Sequence, residues 1–153
     1  MTATHDGPSG AALSIDQIRS DFEVLDDWED RYRYIIDLGR ALPPLAPELH
    51  NDITRVRGCA SQVWLHTYLG KSVDGVTVMR FTGDSDALIV KGLVALVLSI
   101  YDGHTPAEIL SRDARAILAA LGLQANLSQQ RSNGLNAMID RIEAEARKAR
   151  SEG

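Results

Sequence analysis

The stretch from Ala87 to Tyr101 constrains the fold more than any other part of this chain. It is apolar on nearly every side of a 3.6-residue period, and such a helix is stable only inside a core. Asp84, Ser85 and Asp86 offer side chains that can cap its N-terminus, and Gly103 can close its C-terminus in a left-handed conformation. Lys91 and Gly92 interrupt it, and it is shorter than the ~20 apolar residues of a membrane span. The stretch predicts a globular domain around one central helix, and 153 residues suit a single core of that kind.

The surrounding segments predict what packs on it. Ser14 opens a helix, with Gln17 at capping-box spacing and Asp16 in the first turn; Ile15, Ile18, Phe22 and Leu25 form its apolar stripe. A second helix spans about Trp28 to Arg40, with Tyr32, Ile35, Ile36 and Leu38 inward, and Pro43, Pro44 and Pro47 stop it. Gln62 to Tyr68 alternates, with Val63, Leu65 and Thr67 on one face and Trp64, His66 and Tyr68 on the other. Val76 to Thr82 reads as a second strand, and the turn-rich 69–75 link makes a hairpin. Thr105, Pro106 and Glu108 mark a helix start. A further helix covers about Ala114–Leu121, ended by Gly122. The last begins near Ser132 and carries Leu135, Met138, Ile139 and Ile142, with a charged end from Glu143 to Glu152 expected to fray. The organisation is a flexible tail over 1–13, a single domain over 14–145 and a charged end over 146–153. The fold class is α+β, a small antiparallel sheet packed with helices.

A formal net charge of −5 argues against a nucleic-acid partner, which calls for a basic face. The first ten residues carry neither the basic nor the apolar region of a signal peptide, so a cytoplasmic, reducing setting with no membrane attachment is expected. One cysteine rules out an intrachain disulfide and a thiolate-rich metal site built from one chain.

That cysteine, Cys59, is either buried filler or a working thiol. It follows Gly58, which frees the backbone, and it precedes a strand, as expected of a loop tip. Arg55 and Arg57 lie close upstream, and cations near a thiol favour the nucleophilic thiolate. A thiol hydrolase also needs a base. Among His5, His50, His66 and His104, His66 would stand ~20 Å away along a straight strand, and nothing around His50 resembles a triad. No histidine pair shows metal-ligand spacing. Gly83-Asp84-Ser85-Asp86 lacks the twelve-residue loop of a calcium site and reads as a helix cap.

Four blocks in order then carry a resemblance: residues 57–65 from Arg57-Gly58-Cys59-Ala60-Ser61 to Leu65, residues 81–93 around Gly83-Asp84-Ser85-Asp86, residues 103–109, and residues 131–138 from Arg131 to Met138. Over about residues 14–145 the chain resembles the SufE family. The resemblance implies an α+β fold similar to the IscU scaffold and a sulfur carrier rather than an enzyme. Cys59 would take persulfide sulfur from a cysteine desulfurase of SufS or CsdA type, stimulate it, and deliver the sulfur for iron–sulfur cluster assembly on a downstream scaffold. The chain itself would hold no cofactor and no metal; pyridoxal phosphate belongs to the desulfurase. The resemblance also implies a sheltered apolar site for the thiol, released when the loop swings out. Arg57, Gly58, Ala60, Ser61 and Trp64 are assigned to the loop or its neighbourhood, and Arg131, Asp84 and Asp86 to the partner-facing side. The residue after the cysteine, Ala60, departs from the larger polar residue common in relatives. An iron–sulfur scaffold, a thiol-dependent hydrolase using Cys59 and an inert interaction domain stay open as alternatives, as does a weak homodimer.

Overall fold

The computed structural model describes residues 13–152; the tail expected over 1–13 lies outside them except for its last residue. In chain order the elements are α1 (Ile15–Val24), α2 (Trp28–Arg40), a 3-10 turn (Pro47–Leu49), β1 (Val63–Lys71), β2 (Thr77–Ser85), α3 (Leu88–Tyr101), α4 (Pro106–Ser111), α5 (Ala114–Ala120), α6 (Leu123–Asn126) and α7 (Gln129–Glu152). The expected α+β class is what the structure shows.

α3 is the central helix. Its residues from Gly92 to Leu98 are all buried, as are Ile100 and Tyr101. α2 packs against it through two glycines. A Cβ on Gly39 would stand 2.7 Å from the Gly92 nitrogen, and one on Gly92 would stand 2.1 Å from the Ile35 carbonyl oxygen. Only residues without side chains let the two backbones approach so closely. The glycine that interrupts the apolar run is therefore the residue that seats its neighbour.

β1 and β2 form an antiparallel hairpin running from the Val63–Ser85 pair to the Lys71–Thr77 pair. Val63, Leu65, Met79 and Phe81 lie on one face and are buried in the core. Both outer edges are occupied. The Val56 N–H donates to the Val63 carbonyl and the Leu65 N–H to the Thr54 carbonyl, both at 2.8 Å. On the far side the Met79 N–H donates to the His104 carbonyl and the Gly103 N–H to the Met79 carbonyl. The edge groups of Val63, Leu65 and Met79 are thus satisfied by neighbouring loops, which covers those parts of the two edges. On β2, Arg80 is buried against Asp102, which follows α3; the Asp102 Oδ1 accepts from Arg80 Nε at 3.3 Å and from the Phe81 N–H at 2.8 Å.

Several caps form as expected. Ser14 Oγ accepts from the Gln17 N–H, although the Gln17 side chain donates to Asp21 instead of returning to the cap. At α4 both capping-box bonds are present between Thr105 and Glu108. Two expectations are corrected. Asp84 and Ser85 do not cap α3, because β2 runs on through Ser85, paired with Val63; α3 begins after Ala87 with no side-chain cap. α7 starts three residues earlier than expected, where Ser128 Oγ accepts from the Arg131 N–H. It also continues past residue 145 as ordered helix, with Ala146 fully buried. The alanines at 146 and 149 face the core there, so the charges of that end sit on the other faces.

Candidate functional site

Arg57 to Ser61 connect the Val56 edge bridge to β1. Gly58 has φ +90°, a conformation that L side chains rarely adopt, and it turns the chain back so that Cys59 meets α7. The Cys59 S–H donates to the Gly134 carbonyl at 3.7 Å. The thiol is half-buried and packs on the edge of the core. It opens into a cavity of about 340 Å³. Ala87, Val90, Leu93 and Met138 form the apolar wall, while Ser61, Ser128, Gln130 and Arg131 bring polar groups to it.

Burial pushes the Cys59 thiol above its ordinary value. The arginines expected to ionise it do not dominate: Arg57 is exposed and lines no part of the cavity. The resting thiol is therefore protonated at neutral pH. Alkylation by iodoacetamide at pH 7.5 should be slower for the folded chain than for the urea-unfolded chain. It should go on rising with pH after the unfolded chain's rate has levelled off. The linkage has the same sign. Because the folded thiol holds its proton more tightly, its contribution to stability is present below the unfolded thiol's pKa and is lost as pH rises through the folded one.

The expected site residues separate into two groups. Gly58, Ala60, Ser61 and Arg131 gather around Cys59. Trp64 does not: it points to the opposite sheet face, edge-on to His50 with ring centroids 4.6 Å apart. Its strand alternation, opposite to Val63 and Leu65, already required this, and the assignment to the thiol's shelter is corrected accordingly. Asp84 sits with it, bonded to His50 Nε2 at 2.8 Å and 3.4 Å from Lys91 Nζ. Burial raises the Asp84 carboxyl, but the bonds from His50 and the Ser85 N–H and the charge of Lys91 outweigh it and hold the group below the usual range. Asp86 accepts from the Gln62 N–H and so ties the start of β1 to the end of β2.

Among the described residues no histidine lines the Cys59 cavity, and no three His, Cys, Asp or Glu side chains converge as metal ligands. Among the described residues the thiol thus has no base beside it in the cavity. Gly134 and Met138 were not expected as site residues, though their i, i+4 spacing on α7 is the signal that puts both on one face.

Residues 16–146 match the SufE family, described as an Fe-S metabolism associated domain. The chain belongs to the SufE family. An uncharacterized SufE-like protein of Rhizobium etli is 53% identical over 143 residues, covering 92% of this chain and 96% of that one. The sulfur acceptor protein CsdE of Escherichia coli is 40% identical over 135 residues, covering 88% and 89%. A solution structure of a hypothetical protein from Thermus thermophilus shares the fold with a TM-score of 0.66, at 24% identity, over 90% of this chain and 96% of that one. The SufE match spans the Cys59 loop, the hairpin, α3 and most of α7, so every residue that lines the thiol's cavity lies inside it. No helix among the described residues is long and apolar enough to cross a membrane.

Proposed function

We propose that Cys59 is a sulfur acceptor that takes persulfide sulfur from a cysteine desulfurase and hands it on for iron–sulfur cluster assembly. The observation that carries this reading is the setting of the thiol. It sits on a loop turned by Gly58, faces a cavity with an apolar wall, and has no histidine or carboxylate among the described residues that line that cavity. A thiol of that kind is poor at activating water. It suits exchange with a partner that brings an already reactive sulfur.

In the proposed step the Cys59 thiol gives its proton to solvent water and the resulting thiolate attacks the terminal sulfur of the partner's cysteine persulfide. A new S–S bond forms to Cys59 and the partner's S–S bond breaks. The partner cysteine leaves as a thiolate, and no external oxidant or reductant is consumed. Freed of its sulfur, the desulfurase turns over again, which accounts for stimulation. The name of the Escherichia coli relative, a sulfur acceptor, supports the same role here. Pyridoxal phosphate chemistry stays with the partner. Cluster assembly on this chain alone is the weaker reading, since ligation normally takes several thiolates and the chain has one cysteine.

The test is to incubate the chain with a desulfurase and L-cysteine, then weigh the intact chain by mass spectrometry. The expected result is a gain of ~32 Da, one sulfur atom, together with faster desulfurase turnover, both lost in Cys59→Ser. A folded wild-type chain that gains no sulfur from any of the host's desulfurases would sink the proposal.

A further inference from the structure

α7 holds the cysteine segment along a single face. Gly134 meets the thiol. Ala137 lies against Gly58, its Cβ 3.4 Å from where a Gly58 Cβ would be. Arg141, two turns beyond Gly134 and ~10 Å along the axis, donates from Nη1 to the Arg55 carbonyl at 3.1 Å and from Nη2 to the Ile53 carbonyl at 2.6 Å. These three residues follow the i, i+3, i+7 spacing of one helix stripe.

The backbone of 53–56 is divided between two partners. The Thr54 carbonyl and the Val56 N–H face β1. The alternate carbonyls of Ile53 and Arg55 point the other way and are taken by one guanidinium. A planar fork with fixed donor directions can bind two carbonyls at once. Glu145, one turn further on, accepts from Arg141 Nε and orients the fork. Arg141 and Glu145 are both about three-quarters covered, with side chains 25% and 27% exposed, so solvent competes less for the part-buried bonds to Arg55 and Glu145 than at an open surface, while the bond to Ile53 is exposed.

We infer that Arg141 is a positioning residue: it fixes the register of residues 53–56 on α7 and so holds the Cys59 thiol in its sheltered place. Val56 is three residues from the thiol and Gly58 intervenes, so the loop between is short and turns sharply. Slackening at its root moves the thiol off Gly134. The inference concerns the same thiol as the proposed sulfur acceptance, but its core, where the thiol rests, holds whether or not sulfur is accepted.

The experiment uses the full chain with Arg141→Met, Arg141→Lys and, as a control on an exposed arginine of the same helix, Arg147→Gln. Three quantities are read: the rate and pH profile of Cys59 alkylation by iodoacetamide, amide exchange at residues 53–59 against the rest of the chain, and Tm. Arg141→Met should raise the alkylation rate about tenfold, the factor expected when a charge-assisted bond is removed from a local opening. Its pH midpoint should fall toward that of the unfolded thiol, and the gain in exchange should be confined to the cysteine segment. Arg141→Lys, with donors but no fork, should lie between, and it carries the test if the Met variant does not fold. Arg147→Gln should match wild type. Unchanged alkylation and exchange in folded Arg141 variants would overturn the inference, as would a rise shared by every slow amide, since that is global loss of stability. Sulfur loading in the desulfurase assay separates the two readings. If wild type fails to load while the Arg141 variants still expose the thiol, the acceptor role falls and the positioning role stands.

Discussion

Gly92→Ala should destabilise the chain by about 3 kcal/mol, read as a lower urea midpoint at unchanged slope. The added Cβ would fall 2.1 Å from the Ile35 carbonyl oxygen and 2.5 Å from Ile35 Cγ2. The first of these is backbone inside α2, so no side-chain rotation relieves it. α2 and α3 must separate, and the apolar contacts on both sides of the seam loosen with them. The usual benefit of replacing a helical glycine by alanine, about 0.5–1 kcal/mol, works in the opposite direction and is too small to compensate. Gly134→Ala is the comparison. A Cβ there meets only Cys59, at 3.5 Å from Sγ and 3.8 Å from Cβ, which is ordinary contact. It should be neutral or slightly stabilising, and the contrast shows that the effect at Gly92 is steric rather than a matter of helix propensity.

Asp102→Ala should cost about 3–5 kcal/mol, as breaking a buried ion pair does. The Arg80 and Asp102 side chains are only 2% and 7% exposed. Asp102 Oδ1 accepts from both Arg80 Nε and the Phe81 N–H, so its removal takes a carboxylate from a buried guanidinium and from an N–H on the outer edge of β2 together. Asp102→Asn keeps an oxygen acceptor but not the charge, and should fall between Ala and wild type. Thermal unfolding of the three chains checks the order. If Asp102→Ala melts with wild type, the pair contributes nothing to the hairpin's hold on α3.

The difference between what sequence could and could not reveal is clear from particular residues. The α4 start was legible because Thr105, Pro106 and Glu108 act on one another within four residues, and both capping bonds are present. Asp84-Ser85-Asp86 misled because the same residue types that cap helices can also finish a strand. Here the ladder to β1 prevailed, with Gly83 pressed close to Val94 and the Trp64 carbonyl. Trp64 shows the reverse case: alternation alone placed it on the far face, and a family-based grouping with the thiol ran against that simple period of two.

From the order of its residues alone the chain determined a central helix apolar all round, a hairpin, a lone cysteine after a glycine, and four blocks in SufE order. The helix and the hairpin follow from periodicity, caps and spacing, which act over a few residues, whereas the four blocks carry a resemblance to a known family. Only the tertiary structure decided that the thiol is sheltered by Gly134, 75 positions away, that Arg141 grips the root of its loop from 86 and 88 positions away, and that burial rather than the neighbouring arginines governs its ionisation. Such contacts depend on which face of α7 packs against which strand edge. That choice is made by the whole core at once, because no local stretch contains both partners.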